Sequence, residues 1–228
     1  MNKVFYSELF EPFSEISHGF LTRYFKHNPS QGIDAPKICL LKQAHGDHLL
    51  EIRQLEQIQG APRIEADRVL TQHQNVALTI VTADCVPLLF YDPSRHLIGA
   101  AHAGWRGTAL SIAKKMVDSM VRLFHSEPGD IRVALGPAIG ECCYEVDAKV
   151  YGAFQDKSGF KKSNRERRWM MSLQTANQRQ LAEAGVSRKN IWISPQCTAC
   201  HPDLFFSYRK EGEKAGRQWS YIALKEKK

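Results

Sequence analysis

The chain contains 228 residues, with 31 lysines and arginines against 24 acidic residues, which gives a formal net charge of +7. Hydrophobic residues make up 43% and charged residues 24%, which is typical of a folded domain and excludes low-complexity and coiled-coil chains. No stretch approaches the roughly 18 consecutive apolar residues of a spanning helix, and the first residues lack the apolar segment of an export signal. We therefore expect one domain over residues 1–228, located in the cytoplasm.

The first clear pattern is a series of short β-branched runs, interrupted by one Asp-Pro pair. These runs predict three consecutive strands at 77–82, 86–91 and 97–102. Cys85 and His102 then lie at strand ends, where side chains can meet outside the sheet.

The rest of the chain alternates between helical and strand patterns. Apolar residues at helical spacing predict a helix over 108–124. Beyond it we expect strands at 131–136, 191–194, 204–208 and 218–224, helices at 147–154 and 173–184, and a polar loop at 155–168. Mixed strands with helices outside them predict an α/β or α+β layered fold.

Three residues in loop-like settings rich in small residues could bind a metal ion: His45, Cys85 and His102. Structural zinc sites use four ligands in close pairs, whereas catalytic zinc sites often use three distant ligands and keep an open position for water. Two histidines and one cysteine suit zinc, which lowers the pKa of its bound water so that this water ionises near neutral pH. Ordinary buried His and Cys side chains are the alternative.

The same residues also suit a Cys–His nucleophile pair. In that interpretation Cys85 is the nucleophile, His102 is the base, and Asp84 or Asp47 orients the imidazole, as in a cysteine hydrolase. Both hypotheses place the chemistry in one pocket, so the residues alone leave the choice open.

The other five cysteines are Cys39, Cys142, Cys143, Cys197 and Cys200. In a chain of this length without an export signal, free thiols, ligands or nucleophiles are favoured over disulfides. The sequence from Cys197 onward matches the Cys-x-x-Cys-His pattern of haem attachment, which belongs to exported cytochromes. A redox dithiol, or a zinc knuckle formed together with Cys142 and Cys143, are further alternatives. Adjacent cysteines do not match the usual ligand spacing, so buried thiols are the favoured interpretation.

A candidate anion site precedes the predicted helix over 108–124. Glycine-rich phosphate loops are absent, but residues 104–108 lead directly into this helix. Free backbone N–H groups there, together with the Arg106 guanidinium, could hold a phosphate or a carboxylate. A structural turn with Arg106 in an internal salt bridge is the alternative.

The positive charge is concentrated at 161–168, where five lysines and arginines accompany one glutamate. Clustered cations can bind nucleic acid by releasing counterions, which makes a non-enzymatic nucleic-acid binder one hypothesis. No zinc-finger, RNP or helix-turn-helix pattern accompanies the run, so a solvated loop is favoured. We expect neither a nucleic-acid nor a membrane partner.

Five motifs in this order resemble the YfiH family of laccase-domain, purine nucleoside phosphorylase-like proteins. They lie at residues 42–47, 82–89, 99–107, 135–146 and 205–209. The resemblance implies an α+β fold, a four-layer αββα sandwich with mixed sheets similar to the catalytic domain of cytotoxic necrotizing factors. It also implies zinc bound by the positions that match His45, Cys85 and His102.

The family's activities give a functional expectation. The resemblance implies phosphorolysis of adenosine, inosine and methylthioadenosine, with a nucleoside and phosphate as small-molecule partners, and deamination of adenosine. On this expectation Arg23, Gln43 and Arg106 bind substrate, and Asp84 or Asp47 handles protons beside Cys85. The assignment of Arg23 and Arg106 to phosphate is our own hypothesis.

Two positions depart from the family's usual pattern. The Thr-Arg-x-Gly-Gly-Val-Ser segment is present only as Thr22-Arg23, and Arg68 stands where alanine is more common. Substrate preference is expected to differ accordingly.

The family's older name, multicopper polyphenol oxidase, can be tested by counting ligands. A conventional four-copper oxidase needs about ten histidines, many in His-x-His pairs, whereas this chain has nine histidines and no such pair. Copper in the same three-ligand site, giving phenol oxidation, remains the alternative to zinc.

Overall fold

The computed structural model describes residues 4–58 and 63–226, which form a mixed α+β structure. The strands in these residues are β1 (Val4–Phe5), β2 (Ile16–Leu21), β3 (Lys37–Cys39), β4 (Leu41–Lys42), β5 (Leu49–Ile52), β6 (Ile64–Glu65), β7 (Arg68–Thr71), β8 (Val76–Thr82), β9 (Val86–Asp92), β10 (Leu97–Ala103), β11 (Arg132–Leu135), β12 (Glu145–Asp147), β13 (Phe160–Lys162), β14 (Arg168–Met171), β15 (Ile191–Ile193) and β16 (Gln218–Leu224).

The α-helices in the same residues are α1 (Trp105–Ala109), α2 (Ile112–Phe124), α3 (Ala148–Gly152), α4 (Leu173–Glu183) and α5 (Tyr208–Glu211). Short 3-10 helices lie at Glu8–Phe10, Arg23–Phe25, Pro29–Gly32, Leu55–Ile58, Arg188–Asn190 and Gly212–Lys214.

Two large sheets organise the fold. One has the strand order β1-β2-β16-β8-β3, and the other has the order β15-β11-β9-β10-β7-β5. Each combines antiparallel pairs with parallel ones, such as β3–β8 and β11–β15. Smaller sheets have the orders β12-β14-β13 and β4-β6. The expectation of an α+β fold with mixed sheets is therefore confirmed, whereas the four-layer order and the likeness to cytotoxic necrotizing factors stay predictions.

Strand β9 shows why the six-stranded sheet is the centre of the molecule. Successive side chains of a strand point to opposite faces. Leu88 and Phe90 pack in the apolar cluster that contains the inner faces of α2 and α4, and Leu89 and Tyr91 pack against the five-stranded sheet. All four side chains are fully buried. Complete burial of such a side chain stabilises the fold by about 1.5–3 kcal/mol. A strand covered on both faces therefore favours apolar residues at every position, and its sequence is a continuous apolar run.

Most predicted elements are present with boundaries shifted by one to a few residues, and β16 coincides with the predicted strand over 218–224. The predicted helix over 108–124 is divided into α1 and α2, because Ser111 adopts a left-handed conformation with φ of +62°. The first part begins at Trp105, three residues before the predicted start at Thr108.

The predicted strand over 204–208 is wrong. Phe206 lies in an irregular segment before α5, where its backbone N–H donates to and its C=O accepts from the side-chain amide of Gln218, at 2.8 and 3.3 Å. Ser207 then caps α5 by accepting a hydrogen bond from the Lys210 N–H. Phe205 and Phe206 are therefore buried without pairing with a neighbouring strand.

The predicted polar loop over 155–168 is also partly wrong, because it contains β13 and the first residue of β14. Its cations lie on this hairpin, where Lys161 pairs with Glu141 at 2.6 Å and Arg165 pairs with Glu145 at 3.2 Å. Within 4–58 and 63–226, no helix is long and apolar enough to cross a membrane.

Candidate metal centre

His45, Cys85 and His102 meet in the folded chain and are called here the histidine–cysteine site. One potential ligand atom from each lies within 4.8 Å of the other two. Cys85 lies in the connection between β8 and β9, His102 is near the end of β10, and His45 is in the loop after β4. Because β9 and β10 are antiparallel and His102 lies opposite Pro87, this connection and the end of β10 are side by side.

Asp67 is the buried residue that holds the site together. One carboxylate oxygen accepts a hydrogen bond from His102 Nδ1 at 2.8 Å and from the His45 N–H at 3.1 Å. The other oxygen accepts from the backbone N–H groups of Ala44 and Gly46 at 3.1 and 2.8 Å. Since Nδ1 of His102 is engaged, its Nε2 is the nitrogen left to bind a metal.

The register of two strands brings Asp67 to this position. Asp67 directly precedes β7, whose first residue Arg68 lies opposite Ala101 of β10. The His102 N–H therefore donates to the Asp67 carbonyl at 2.8 Å, and the two side chains bind each other at the same place.

Close approach of backbone segments also shapes the site. A Cβ atom on Gly104 would lie 2.9 Å from Cys85 Sγ and 3.4 Å from the His45 ring, so glycine allows α1 to begin against the site. His45 has φ of +61°, a left-handed conformation that costs on the order of 1–2 kcal/mol for a side chain with a Cβ. The hydrogen bonds from this loop to Asp67 offset that cost.

The electrostatics of the site favour a thiolate. Burial by itself would raise the pKa of Cys85, but the His102 and His45 imidazoles outweigh burial and lower that pKa to about 6. Burial by itself would lower the pKa of His102, but the Cys85 sulfur and the Asp67 carboxylate raise it to about 9. Burial would also raise the pKa of Asp67, yet its hydrogen bonds, that from His102 foremost, hold it below the ordinary value. A thiolate is the form of cysteine that binds metals or attacks as a nucleophile.

The donor set fits a zinc ion. Two imidazoles and one thiolate are all ligands that zinc accepts, and three protein ligands leave a fourth position open. The bond between Asp67 and His102 is the carboxylate–histidine contact that commonly orients a ligating imidazole. The same donors also accept copper, so they do not select between the two metals.

Two residues predicted to contact substrate or handle protons, Gln43 and Asp84, are hydrogen-bonded to neighbouring protein groups. The Gln43 amide donates to the Val81 carbonyl at 2.9 Å and accepts from the Val81 N–H at 2.8 Å, which ties the His45 loop to β8. The Asp84 carboxylate accepts from Thr198 Oγ1 at 2.6 Å and from the Arg209 N–H at 2.7 Å. These contacts favour positioning roles for both residues.

Asp47 contacts the helical layer. Its carboxylate forms an ion pair with Lys115 of α2, and its carbonyl accepts from Arg68 Nε at 2.8 Å. Arg68 also donates to the Lys115 carbonyl at 2.7 Å and to Ser119 Oγ at 3.1 Å. The arginine that departs from the family pattern is therefore used to join the site loop to α2.

Two arginines provide positive charge around Tyr144. Burial raises the pKa of Tyr144 and the nearby Cys85 sulfur adds to the effect, whereas the positive charges of Arg209 and Arg106 oppose it. Arg106 lies over the Trp105 ring at 4.6 Å. Arg209 lies over the Tyr144 ring at 5.1 Å. The sequence predicted that Arg106 binds an anion, and Arg209 is a second positive charge near Tyr144.

Arg23 is placed in a different set of contacts from the three potential ligands. It binds the Pro202 carbonyl, pairs with Glu211 of α5 at 3.4 Å and lies 4.6 Å from the centre of the Phe206 ring. It also lines an open cleft of about 420 Å³ beside Pro202. Arg23 thus holds the segment that carries Arg209, and its cleft is not lined by the histidine–cysteine site.

Sequence reasoning assigned no role to Asp67, Tyr144 or Arg209. Asp67 could have been suspected as an acidic residue directly before a strand, but its partner depends on the register of β7 against β10. Tyr144 and Arg209 lie in two of the five family motifs, and only folding places Tyr144 near Cys85 and Arg209 over the Tyr144 ring.

Comparison with known proteins identifies the class. The model of the multi-copper polyphenol oxidoreductase laccase family matches residues 26–225, and the chain belongs to this family. The resemblance to YfiH proteins is thereby confirmed.

Individual relatives agree with this assignment. The chain is 36% identical over 195 residues to the purine nucleoside phosphorylase YlmD of Geobacillus stearothermophilus, covering 81% of this chain and 71% of the relative. The crystal structure of the Bacillus licheniformis hypothetical protein YfiH is similar with a TM-score of 0.86 and 33% identity, covering 94% of this chain and 95% of that one. The crystal structure of YlmD from Geobacillus stearothermophilus gives a TM-score of 0.84 at 30% identity, with 94% of each chain covered.

Proposed function

We propose that this chain is a zinc-dependent purine nucleoside phosphorylase that acts on adenosine, inosine and methylthioadenosine and also deaminates adenosine. The observation that carries the proposal is the histidine–cysteine site, whose potential ligand atoms lie within 4.8 Å of one another. Relatives named as purine nucleoside phosphorylases share the family and support the substrate class.

The residues of the site divide into ligands and supports. His45, Cys85 and His102 hold the zinc ion, which when bound supplies Lewis acidity to the reacting group. Asp67 keeps His102 in the orientation and tautomer that a ligand needs. Asp84 keeps the segment carrying Arg209 against the Cys85 connection.

Arg106 and Arg209 bind phosphate in this proposal. Both guanidinium groups act on the electrostatics of Tyr144 next to Cys85, and guanidinium forks match phosphate oxygens. In phosphorolysis, a phosphate oxygen forms a bond to the anomeric carbon as the bond from that carbon to the purine nitrogen breaks. The arginines orient the phosphate for this displacement and offset its charge.

Metal analysis combined with a nucleoside panel tests the proposal. We expect adenosine, inosine and methylthioadenosine to release base and ribose 1-phosphate derivatives only when phosphate is present, and adenosine to yield inosine and ammonia without it. His45→Ala is expected to lose both activities, while His48→Ala, a change at the nearby histidine outside the site, retains them. Full turnover by metal-free protein would contradict the proposal.

Copper is the alternative metal for the same donors. The copper-loaded protein would then oxidise phenols, whereas the zinc-loaded protein would not, because zinc has no accessible redox change. We expect nucleoside phosphorolysis to follow zinc content and not copper content.

One observation favours a second candidate, a Cys–His hydrolase or amidase acting on a cell-wall peptide intermediate. Asp67 binds His102, and His102 is hydrogen-bonded to Cys85, in the order of a catalytic triad. The orienting carboxylate is Asp67, not Asp84 or Asp47 as predicted from the sequence. Iodoacetamide would then abolish amidase activity in metal-free protein, and added zinc would inhibit the enzyme.

A further inference from the structure

Four cysteines outside the histidine–cysteine site form a second group, called here the cysteine cluster. The sulfurs of Cys142, Cys143, Cys197 and Cys200 all lie within 4.8 Å of one another. Cys200 Sγ is 3.6 Å from Cys142 Sγ and 3.4 Å from Cys143 Sγ. Cys142 and Cys200 are exposed, so the interpretation of these residues as buried thiols is wrong for both.

The sheet topology brings the two halves of the cluster together. Strands β11 and β15 are parallel neighbours, so the segments that follow them leave the same edge of the sheet. Cys142 and Cys143 lie in the segment after β11, and Cys197 and Cys200 lie in the segment after β15. A parallel bridge between Ala138 and Cys197 joins the two segments at their start. Cysteines far apart in the sequence thus face each other at one place.

The backbone is also shaped for sulfur. The Gly140 N–H donates to Cys197 Sγ at 3.1 Å, which supports negative charge on that sulfur. A Cβ atom on Gly140 would lie 3.2 Å from Cys142 Sγ and 3.3 Å from Cys197 Cβ. Glycine therefore lets this turn lie against two of the four cysteines at once.

The spacing of the sulfurs matches one tetrahedral ion. With zinc–sulfur bonds of about 2.3 Å, the sulfurs of a tetrahedral site are about 3.8 Å apart. The separations of 3.4 and 3.6 Å between Cys200 Sγ and its two neighbouring sulfurs are close to this value. Because all four sulfurs lie within 4.8 Å of one another, they leave no room for a cluster of several irons. Soft thiolate ligands in a closed set of four are typical of structural zinc.

We propose that Cys142, Cys143, Cys197 and Cys200 form a second, tetrathiolate zinc site that clamps two loops beside the histidine–cysteine site. The clamped segments reach that site directly. The Thr198 hydroxyl and the Ile139 N–H bind Asp84, through its carboxylate at 2.6 Å and its carbonyl at 2.9 Å. The zinc ion of the cysteine cluster has a structural role, because all four of its ligands come from the protein.

Metal counting on the full-length protein tests the proposal and does not depend on its activity. We expect two zinc ions per chain, one in each group of ligands. Cys142→Ser/Cys200→Ser retains only the zinc of the histidine–cysteine site, and His45→Ala retains only the zinc of the cysteine cluster. Cys39→Ser, a change at a cysteine outside both groups, retains two.

Cobalt substitution identifies which ligands hold the ion. His45→Ala loaded with cobalt is expected to show the strong thiolate-to-cobalt charge-transfer absorption of a tetrathiolate site. In the His45→Ala background, Cys200→His keeps a fourth ligand and is expected to retain one cobalt with weaker charge transfer, because one thiolate is replaced by imidazole. This variant also keeps the test decisive if the double serine variant does not fold.

Two results would overturn the proposal. One is a single zinc per chain in the unmodified protein, lost in His45→Ala and retained in the double serine variant. The other is peptide mapping of the purified protein that shows a disulfide within the cysteine cluster and no second metal. A failure of the proposed nucleoside activity would leave both measurements unchanged, so the two proposals can fail separately.

Discussion

The histidine–cysteine site and the cysteine cluster use sulfur in opposite ways. In the first, one half-buried cysteine is combined with two imidazoles, and a fully buried aspartate supports one of them. In the second, four cysteines meet between two segments, two of them exposed, with a backbone N–H as the support of one sulfur. Three mixed ligands leave an open position for chemistry, whereas four thiolates close the coordination shell. In our proposals, ligand number and support therefore distinguish a site that reacts from one that holds loops together.

The two groups are also connected. Thr198 lies between Cys197 and Cys200 in sequence, and its hydroxyl binds Asp84, which directly precedes Cys85. Arg209, whose N–H binds the same carboxylate, reaches back to the Glu145 carbonyl at 3.0 Å. A substitution in one group of ligands can therefore be tested for its effect on metal binding by the other group.

The largest contrast is expected from Asp67→Asn. The substitution removes the carboxylate charge beside His102, and the new amide presents N–H donors where backbone N–H groups already point. Loss of such a support typically weakens metal binding by about 10–100-fold. Competition with a chromophoric chelator should show this loss in the histidine–cysteine site and an unchanged cysteine cluster.

Asp92→Asn is the matched control for that experiment. Asp92 is also fully buried, but it accepts hydrogen bonds from the turn at Ser94 and Arg95 and is not part of either group. This change is expected to alter stability without altering zinc affinity. Equal zinc affinity in the Asp67 variant and the unmodified protein would rule out the supporting role.

A smaller effect is expected from Gly104→Ala, which crowds one group and not the other. The new methyl would lie 2.9 Å from Cys85 Sγ, and overpacking of this kind costs about 1–3 kcal/mol. Zinc affinity of the histidine–cysteine site should fall, while Gly129→Ala, where nothing lies within 4 Å, should be neutral. Identical zinc titrations of the two variants would show that α1 can move away without consequence.

The fold could be predicted best where burial is complete. Long apolar runs such as β8, β9 and β16 are recognisable because both faces or one whole face of the strand are covered. The strands before residue 76 were not predicted, since they are two to six residues long and depend on distant partners. Phe205 and Phe206 were misassigned to a strand because burial of an irregular segment produces the same apolar pattern.

The sites show the same limit. The three residues of the histidine–cysteine site have informative local settings, and family motifs surround each of them. Asp67 was missed because its contact with His102 comes from strand register. A zinc site in the cysteine cluster was weighed from the sequence but not favoured, because adjacent cysteines have unusual ligand spacing and only the parallel pair β11–β15 brings the two halves together.

A third prediction uses the pH dependence of thiol alkylation in chelator-treated protein. The pKa of Cys85 is lowered to about 6 by its imidazole neighbours, so its reaction with iodoacetamide should rise through that pH and then level off. Burial and the neighbouring Cys200 raise the pKa of Cys143 to about 11, so its reaction should still be increasing above pH 9. Peptide mass spectrometry measures both residues in one sample. Parallel pH profiles would show that the two groups do not differ in their electrostatics.

The smallest effect is expected in the basic hairpin, which lies outside both groups. Arg165 is 78% exposed and pairs with Glu145 at 3.2 Å, and an exposed ion pair contributes roughly 0–1 kcal/mol. Arg165→Ala should therefore shift the unfolding midpoint by no more than a few degrees and leave zinc content and nucleoside turnover unchanged. Lys162→Ala, an exposed cation of the same hairpin without an ion pair among the described residues, is the control. Salt-sensitive nucleic-acid binding that Arg165→Ala abolishes would instead give the hairpin a function of its own, because a structural ion pair does not produce such binding.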